Sequence, residues 1–422
     1  MTARRGALTD IVVLDLTWVL AGPYASMILA DMGADVIKVE RPPYGDVGRT
    51  TGPYIGHESA YFFSVNRGKR SICLDLKTEE GKGLFLRLAE SVDIVMENFT
   101  PGTMERLGLG YEKLAERNPR LIYSATSGFG QTGPDRERPA LDIIVQGMGG
   151  IMSITGEPGG PPVRPGISQG DITAGLFTAI GTLAALHERE RSGRGQFLDV
   201  SMLDSQIAIL ENPFARYFAT GEVPQPIGTR HPSTTPFQAF PTSDGWIVIA
   251  LYWGVENQWE LFCVTIGLPD LIDDRRFTTP GLRTQHHADL EPLLNEALRA
   301  KTTEDWLREF DGIGLPCGPL NDIPSAAEHP QVQAREMLKE ISHPSGVKLK
   351  ITDTPLKLSR TPGGIQGPPP AIGQHTDEVL EQLAGLSADD IARLRESGVI
   401  FGPLEGPVGR ILEHENRLAS GG

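Results

Sequence analysis

From Ile11 to Met202 the chain alternates short apolar runs with helical stretches, and this alternation constrains the fold more than any single motif. Ile11–Thr17, Asp35–Glu40, Ser71–Leu76, Asp93–Glu97, Arg120–Ser124 and Gln196–Met202 read as strands. Between them Tyr24–Met32, Glu79–Ser91, parts of Gly102–Arg117 and Ile172–Arg189 read as helices, with Leu84, Phe85 and Leu88 sharing one helical face. Strands joined through helices pair in parallel, and a parallel sheet is covered on both faces. The expected class is therefore α/β.

The texture changes near Glu222, where Pro224, Pro226, Pro232 and Pro236 cluster. A new strand is expected at Gly245–Leu251, followed by helices at Asn257–Ile266, Ala288–Leu298 and Thr303–Phe310. We read a large domain over residues 1–205, a small one over 227–323, and a return segment over 324–422 that packs on the large domain. Short helices are expected at Thr376–Leu383 and Ser387–Glu396, with a glycine-rich tail from Phe401.

Several function classes drop out. No apolar run approaches the roughly 18 residues of a membrane span, and the N-terminus has no apolar core of a signal peptide. Cys73, Cys263 and Cys317 lie far apart, which predicts no disulfide framework and a reducing, cytoplasmic setting. The formal net charge of -15 argues against general nucleic-acid binding. Locally the balance reverses. Lys38, Arg41, Arg49, Arg67, Lys69 and Arg70 outnumber the acidic residues of that window, which reads as a solvated face or as a phosphate-binding patch.

The chemistry is less direct. No G-x-G-x-x-G follows Leu16, where Gly22 stands alone, so a nicotinamide or flavin enzyme is not expected. Gly166-Ile-Ser168-Gln-Gly170 matches the serine-nucleophile pattern, but Pro161, Pro162 and Pro165 occupy the place of the required strand. No Cys-x-x-Cys or His-x-x-x-His pair suggests a metal, and the adjacent His286 and His287 read as solvated. Asp171 stands at the mouth of the strongest helix. It reads as an N-cap or as a nucleophile, and the two roles are compatible, because a helix N-terminus favours a carboxylate.

A set of short segments gives the chain a family resemblance over nearly its whole length. The set includes Val13-Leu-Asp-Leu-Thr17, Ala21-Gly-Pro23, Gly33-Ala-Asp-Val-Ile-Lys-Val-Glu-Arg41, Asn66-Arg-Gly-Lys-Arg70, Glu97-Asn-Phe99, Gly193-Arg-Gly-Gln196 and His375-Thr-Asp-Glu-Val379. Taken in order, they resemble the family III CoA-transferases, which include formyl-CoA:oxalate and carnitine CoA-transferases and are related to the alpha-methylacyl-CoA racemases. The resemblance implies a Rossmann-like large domain, a smaller α/β domain and an interlocked homodimer. It makes Asp171 the catalytic residue. It places Val19, Leu20, Ala21, Arg41, Leu74, Asp75, Leu76, Lys77, Asn98, Phe99 and Arg106 at CoA-contacting positions. It implies acyl-CoA and a small carboxylic acid as substrates, no permanently bound cofactor and no metal.

Two details refine this expectation. The related racemases carry a histidine immediately before the position of Asp142, where this chain has Leu141. An aliphatic side chain moves no proton, so transfer is favoured over racemisation. Asp142 itself resembles an acidic supporting residue of the transferases, or caps the helix that follows it. Gly228-Thr-Arg-His-Pro-Ser-Thr-Thr-Pro-Phe237 replaces the glycine run that closes the site in the formate/oxalate enzymes, and leaves Arg230 and His231 as candidate acid-binding residues.

Overall fold

Strands rich in apolar residues, each followed by a helix, fold here into one central sheet. The computed structural model describes residues 4–251 and 257–404. In it the seven-stranded sheet runs Ile400–Phe401, Arg70–Leu74, Asp35–Glu40, Val12–Asp15, Ile94–Glu97, Ile122–Ser127 and Phe197–Ser201. All neighbours are parallel except Ile400–Phe401, which pairs antiparallel with Arg70–Leu74. Register follows the pleat: Val13 lies beside Val36 and Ile94, and Ile94 beside Ile122.

Alternate residues feed two cores. Val13, Val36, Ile94 and Ile122 pack with Ala25, Leu29, Ala179 and Leu186. Leu14, Ile37, Val95 and Tyr123 pack with Phe85, Leu88, Val379 and Leu394. Helices Ala21–Asp31 and Gln169–Ser192 thus cover one face, and Glu79–Ala89, Thr376–Ala384 and Ala388–Glu396 the other. The first two helices cross closely, because a Cβ on Gly175 would stand 2.7 Å from the carbonyl oxygen of Ala21.

Most of the basic window is an internal ion-pair framework rather than a solvated face. Five of its six cations are buried in ion pairs: Lys38–Asp46 at 2.8 Å, Arg49–Glu40 at 2.6 Å, Arg67–Asp31 at 2.6 Å, Lys69–Asp15 at 3.0 Å, and Arg70 with Asp35. Glu40 and Asp15 are held down at about 2, since the cations outweigh the cost of burial. Arg41 alone faces solvent.

The described residues form two compact units. Within the described residues the larger takes 4–151, 164–221 and 334–404, and the smaller takes 152–163, 222–251 and 257–333. The smaller unit has an antiparallel sheet, Cys317–Pro319 beside Trp246–Ala250 beside Phe237–Pro241. Its core gathers Phe240, Ile247, Ile249, Phe262, Trp306 and Phe310. His287 is buried in this unit and bonds Gln238 at 2.7 Å, so it is not the solvated residue that sequence suggested. Phe401 likewise joins the central sheet rather than a tail, and the remaining tail beyond Leu404 lies outside the described residues.

Candidate functional site

Strand order sets where a ligand fits. From Val12–Asp15 the chain builds outward through Asp35–Glu40 to Arg70–Leu74, then crosses back to Ile94–Glu97 on the other side. Between Val12–Asp15 and Ile94–Glu97 the winding reverses. In open α/β sheets the crevice beyond the carboxyl ends of such a pair is the binding place. Here those ends lead into Leu16–Leu20 and Asn98–Thr100.

Two cavities open there. One of about 640 Å³ is lined by Trp18, Arg41, Leu74, Asp75, Leu76, Lys77 and Phe99 among others. The other, about 160 Å³, is lined by Val19, Leu20, Ala21, Asn98, Asp142 and Asp171 among others. Trp18, Phe99 and Thr100 belong to both walls, so the larger cleft adjoins the smaller. Ten of the eleven positions expected at CoA therefore line one wall or the other. Arg106 lines neither, but its guanidinium donates to Thr103 Oγ1 at 2.9 Å, and Thr103 lines the larger cleft.

The loop between the cavities is tightly specified. Asn98 clamps Trp18 by both ends of its amide: Trp18 N–H donates to Oδ1 at 2.9 Å, and Nδ2 donates to the Trp18 carbonyl at 2.8 Å. The Trp18 ring meets Phe99 edge-on at 5.6 Å, and the Arg41 guanidinium lies 5.4 Å from its centroid. Val19 adopts φ 67, an unfavourable region for a branched side chain. Asp46 anchors it by accepting from Val19 N–H at 3.0 Å, and Lys38 fixes Asp46. The buried pairs thus hold the loop on which Trp18, Val19 and Leu20 sit.

Asp171 departs from the sequence reading in one respect. The helix begins at Gln169 with Ser168 as its N-cap, so Asp171 lies within the first turn rather than capping it. The capping oxygen comes from elsewhere. Asp142, the first residue of helix Asp142–Met148, accepts from Gly170 N–H at 2.8 Å and from Asp171 N–H at 3.4 Å. It does not cap its own helix. A side chain at Gly170 would meet Val145 at 2.7 Å and Asp142 at 3.1 Å, so glycine there lets the carboxylate reach the backbone. The second Asp142 oxygen accepts from Gln146 Nε2 at 2.7 Å and Arg164 Nη2 at 2.9 Å.

Asp142 is thus saturated, whereas the Asp171 carboxylate accepts no hydrogen bond from another described residue. Burial, and then the neighbouring Asp142 charge, push Asp171 up to about 7, with Arg164 opposing. Tyr61, raised to about 12 by burial and then by Asp171, Asp46 and Asp142, stays protonated nearby. A carboxylate that is unpaired, partly desolvated and near half-ionised at neutral pH is suited to nucleophilic attack.

Ser168, Arg230 and His231 each have partners of their own. No strand enters the segment before Ser168, whose hydroxyl accepts from Arg164 at 3.1 Å. In the smaller unit Arg230 donates to the Ile227 carbonyl at 3.0 Å and bonds His287 at 3.1 Å, while His231 is exposed and lies 5.0 Å from Phe237. Sequence reasoning missed Arg136 and Arg138, which line the smaller cavity, and Gln146 and Arg164, which hold Asp142. The three arginines did leave a signal, as cations ahead of Asp142 and Asp171 in the chain.

Known proteins share both sequence and fold. The profile of CoA-transferase family III matches residues 8–376. A succinyl-CoA:glutarate CoA-transferase of Homo sapiens is 38% identical, over 93% of this chain and 90% of that protein. An acetyl-CoA:oxalate CoA-transferase of Acetobacter aceti is 45% identical, over 79% of this chain and 86% of its own. The crystal structure of a CAIB/BAIF family protein from Brucella suis superposes with a TM-score of 0.81 at 38% identity, covering 90% of this chain and all of that one. The chain belongs to CoA-transferase family III.

Proposed function

We propose that this enzyme moves CoA from an acyl-CoA thioester to a small carboxylic acid, with Asp171 as covalent carrier. The observation that carries the reading is the free Asp171 carboxylate in a cavity adjoining the larger cleft. CoA binds as a substrate along that cleft, with Arg41 and Lys77 at its exposed edge. No resident cofactor takes part.

Asp171 attacks the donor carbonyl carbon, the C–S bond breaks, and CoA leaves as thiolate beside a mixed anhydride. The thiolate attacks the aspartyl carbon, and the donor acid departs as carboxylate, leaving an Asp171–CoA thioester. The acceptor carboxylate attacks that thioester and frees the thiolate, which then takes the acceptor acyl group and restores Asp171. One thioester replaces another, so no ATP is consumed. Both intermediates hydrolyse, so water must be kept out. Leu141 lines the same cavity with a side chain unable to move protons, which argues against a racemase.

The relatives named above act on succinyl-CoA and glutarate or on acetyl-CoA and oxalate, which supports a small dicarboxylic acid as one partner. The enzyme acts as an interlocked homodimer in this reading. Chain connectivity supports it, since the larger unit is left after Gly221 and rejoined at Ala334. So does helix Glu211–Thr220, which buries none of its residues and exposes Phe218 at 77%. Asp171→Ala is expected to abolish turnover while CoA affinity stays largely intact. Retained turnover would contradict the mechanism.

A further inference from the structure

The cavity that holds Asp171 contains two cations that the mechanism above does not use. Arg136 and Arg138 line its wall, both on the exposed segment between Gly128 and Ala140. The Arg136 side chain makes no ion pair or hydrogen bond with another described residue. Arg138 has only a loose contact with Asp135 at 3.8 Å and lies 5.8 Å from the Phe129 ring centroid. This contrasts with Lys38, Arg49, Arg67, Lys69 and Arg70, each buried against a carboxylate. Two uncommitted guanidinium groups beside a nucleophile need a partner, and planar forked donors suit carboxylate.

Charge identifies the state that recruits that partner. With Asp142 and Asp171 ionised, the two aspartates and two arginines of the wall cancel. Once Asp171 is esterified as its CoA thioester, only Asp142 remains negative, and the wall carries one net positive charge. A monocarboxylic acceptor loses its charge as it forms the anhydride. A dicarboxylic acceptor keeps one carboxylate throughout, which matches that single excess charge. A volume of about 160 Å³ equals the liquid volume of roughly five waters. That suits a short acid rather than a long acyl chain.

We infer that Arg136 and Arg138 hold the second, non-reacting carboxylate of a small dicarboxylic substrate and so select dicarboxylic over monocarboxylic acids. The inference rests on the CoA-transfer reading and assigns the residues that set its substrate class.

The test compares glutarate with pentanoate, an acid of equal chain length lacking the second carboxylate, using acetyl-CoA, which has no free carboxylate of its own on the acyl group, as donor. Wild-type enzyme should prefer glutarate. Arg136→Ala and Arg138→Ala should each lower kcat/KM for glutarate by about 10- to 100-fold, as expected for losing a charge-assisted hydrogen bond. Rates with pentanoate should change little, and Arg136→Lys should recover part of the preference. An equal fall for both acids, or a rise confined to the KM of the CoA donor, would assign the arginines to CoA or to the loop and overturn the inference. Wild-type enzyme that forms the Asp171–CoA adduct without preferring glutarate would overturn it alone. Wild-type enzyme that forms no adduct would overturn the reading beneath it.

Discussion

Asp142 and Asp171 meet through the backbone: a carboxylate oxygen of Asp142 lies 2.8 Å from Gly170 N and 3.4 Å from the amide nitrogen of Asp171 itself. The first free N–H groups of the long helix are therefore donated to Asp142 and not to the Asp171 carboxylate. One carboxylate is fully hydrogen-bonded, and the other is left without a partner among the described residues beside it. This division of roles is what the proposed mechanism needs, with Asp142 positioning and Asp171 attacking.

The first prediction concerns activity against pH. Burial and then the Asp142 charge push Asp171 up to about 7, and the proposed attack needs its anion, so kcat/KM should fall as pH drops through 7. In Asp142→Asn the amide oxygen still reaches the Gly170 N–H, but the neighbouring charge is gone. Its acid limb should move to lower pH. A pH–rate profile with an unmoved limb would show that Asp142 does not set the ionisation of Asp171.

Stability should run the other way. Asp171 is raised from 3.8 to about 7, so the folded chain holds this proton more tightly than the unfolded chain. Its contribution to stability is lost as pH rises through that window, and the ionised group opposes folding above it. Asp171→Asn should thus be more stable than wild type at pH 8, by on the order of 3 kcal/mol, with the gap closing toward pH 5. Urea unfolding at the two pH values checks both sign and trend.

Lys38→Met removes one partner of a pair whose side chains are each 1% exposed. Asp46 would keep a buried charge without its cation, and such a loss costs about 3–5 kcal/mol. Because Asp46 also holds Val19 N–H, the variant should bind CoA more weakly even where it remains folded. Calorimetric unfolding with CoA titration reads both effects.

Most strands were legible because their apolar residues fall on both faces of the sheet, as in Ile11–Thr17 and in Val36, Ile37 and Val39. Ile400–Phe401 was not, since a two-residue edge strand carries no period and is fixed by its pairing with Cys73 and Leu74. Residue types placed Asp171 at a helix mouth, but the origin of its cap lay 29 residues away at Asp142, and no local pattern reports such a contact. The basic window misled for the same reason. Composition shows the charges of Lys38, Arg49 and Lys69, whereas their partners Asp46, Glu40 and Asp15 are chosen by strand pairing and burial. Arg136 and Arg138 stand in an irregular segment, where only the folded cavity shows what they face.

The most direct test is intact mass after incubation with a panel of acyl-CoA thioesters, with and without hydroxylamine. The account predicts a CoA-sized adduct that maps to Asp171, disappears with hydroxylamine and is absent from Asp171→Ala. Full turnover with no adduct on Asp171, or an adduct that persists in Asp171→Ala, would contradict it.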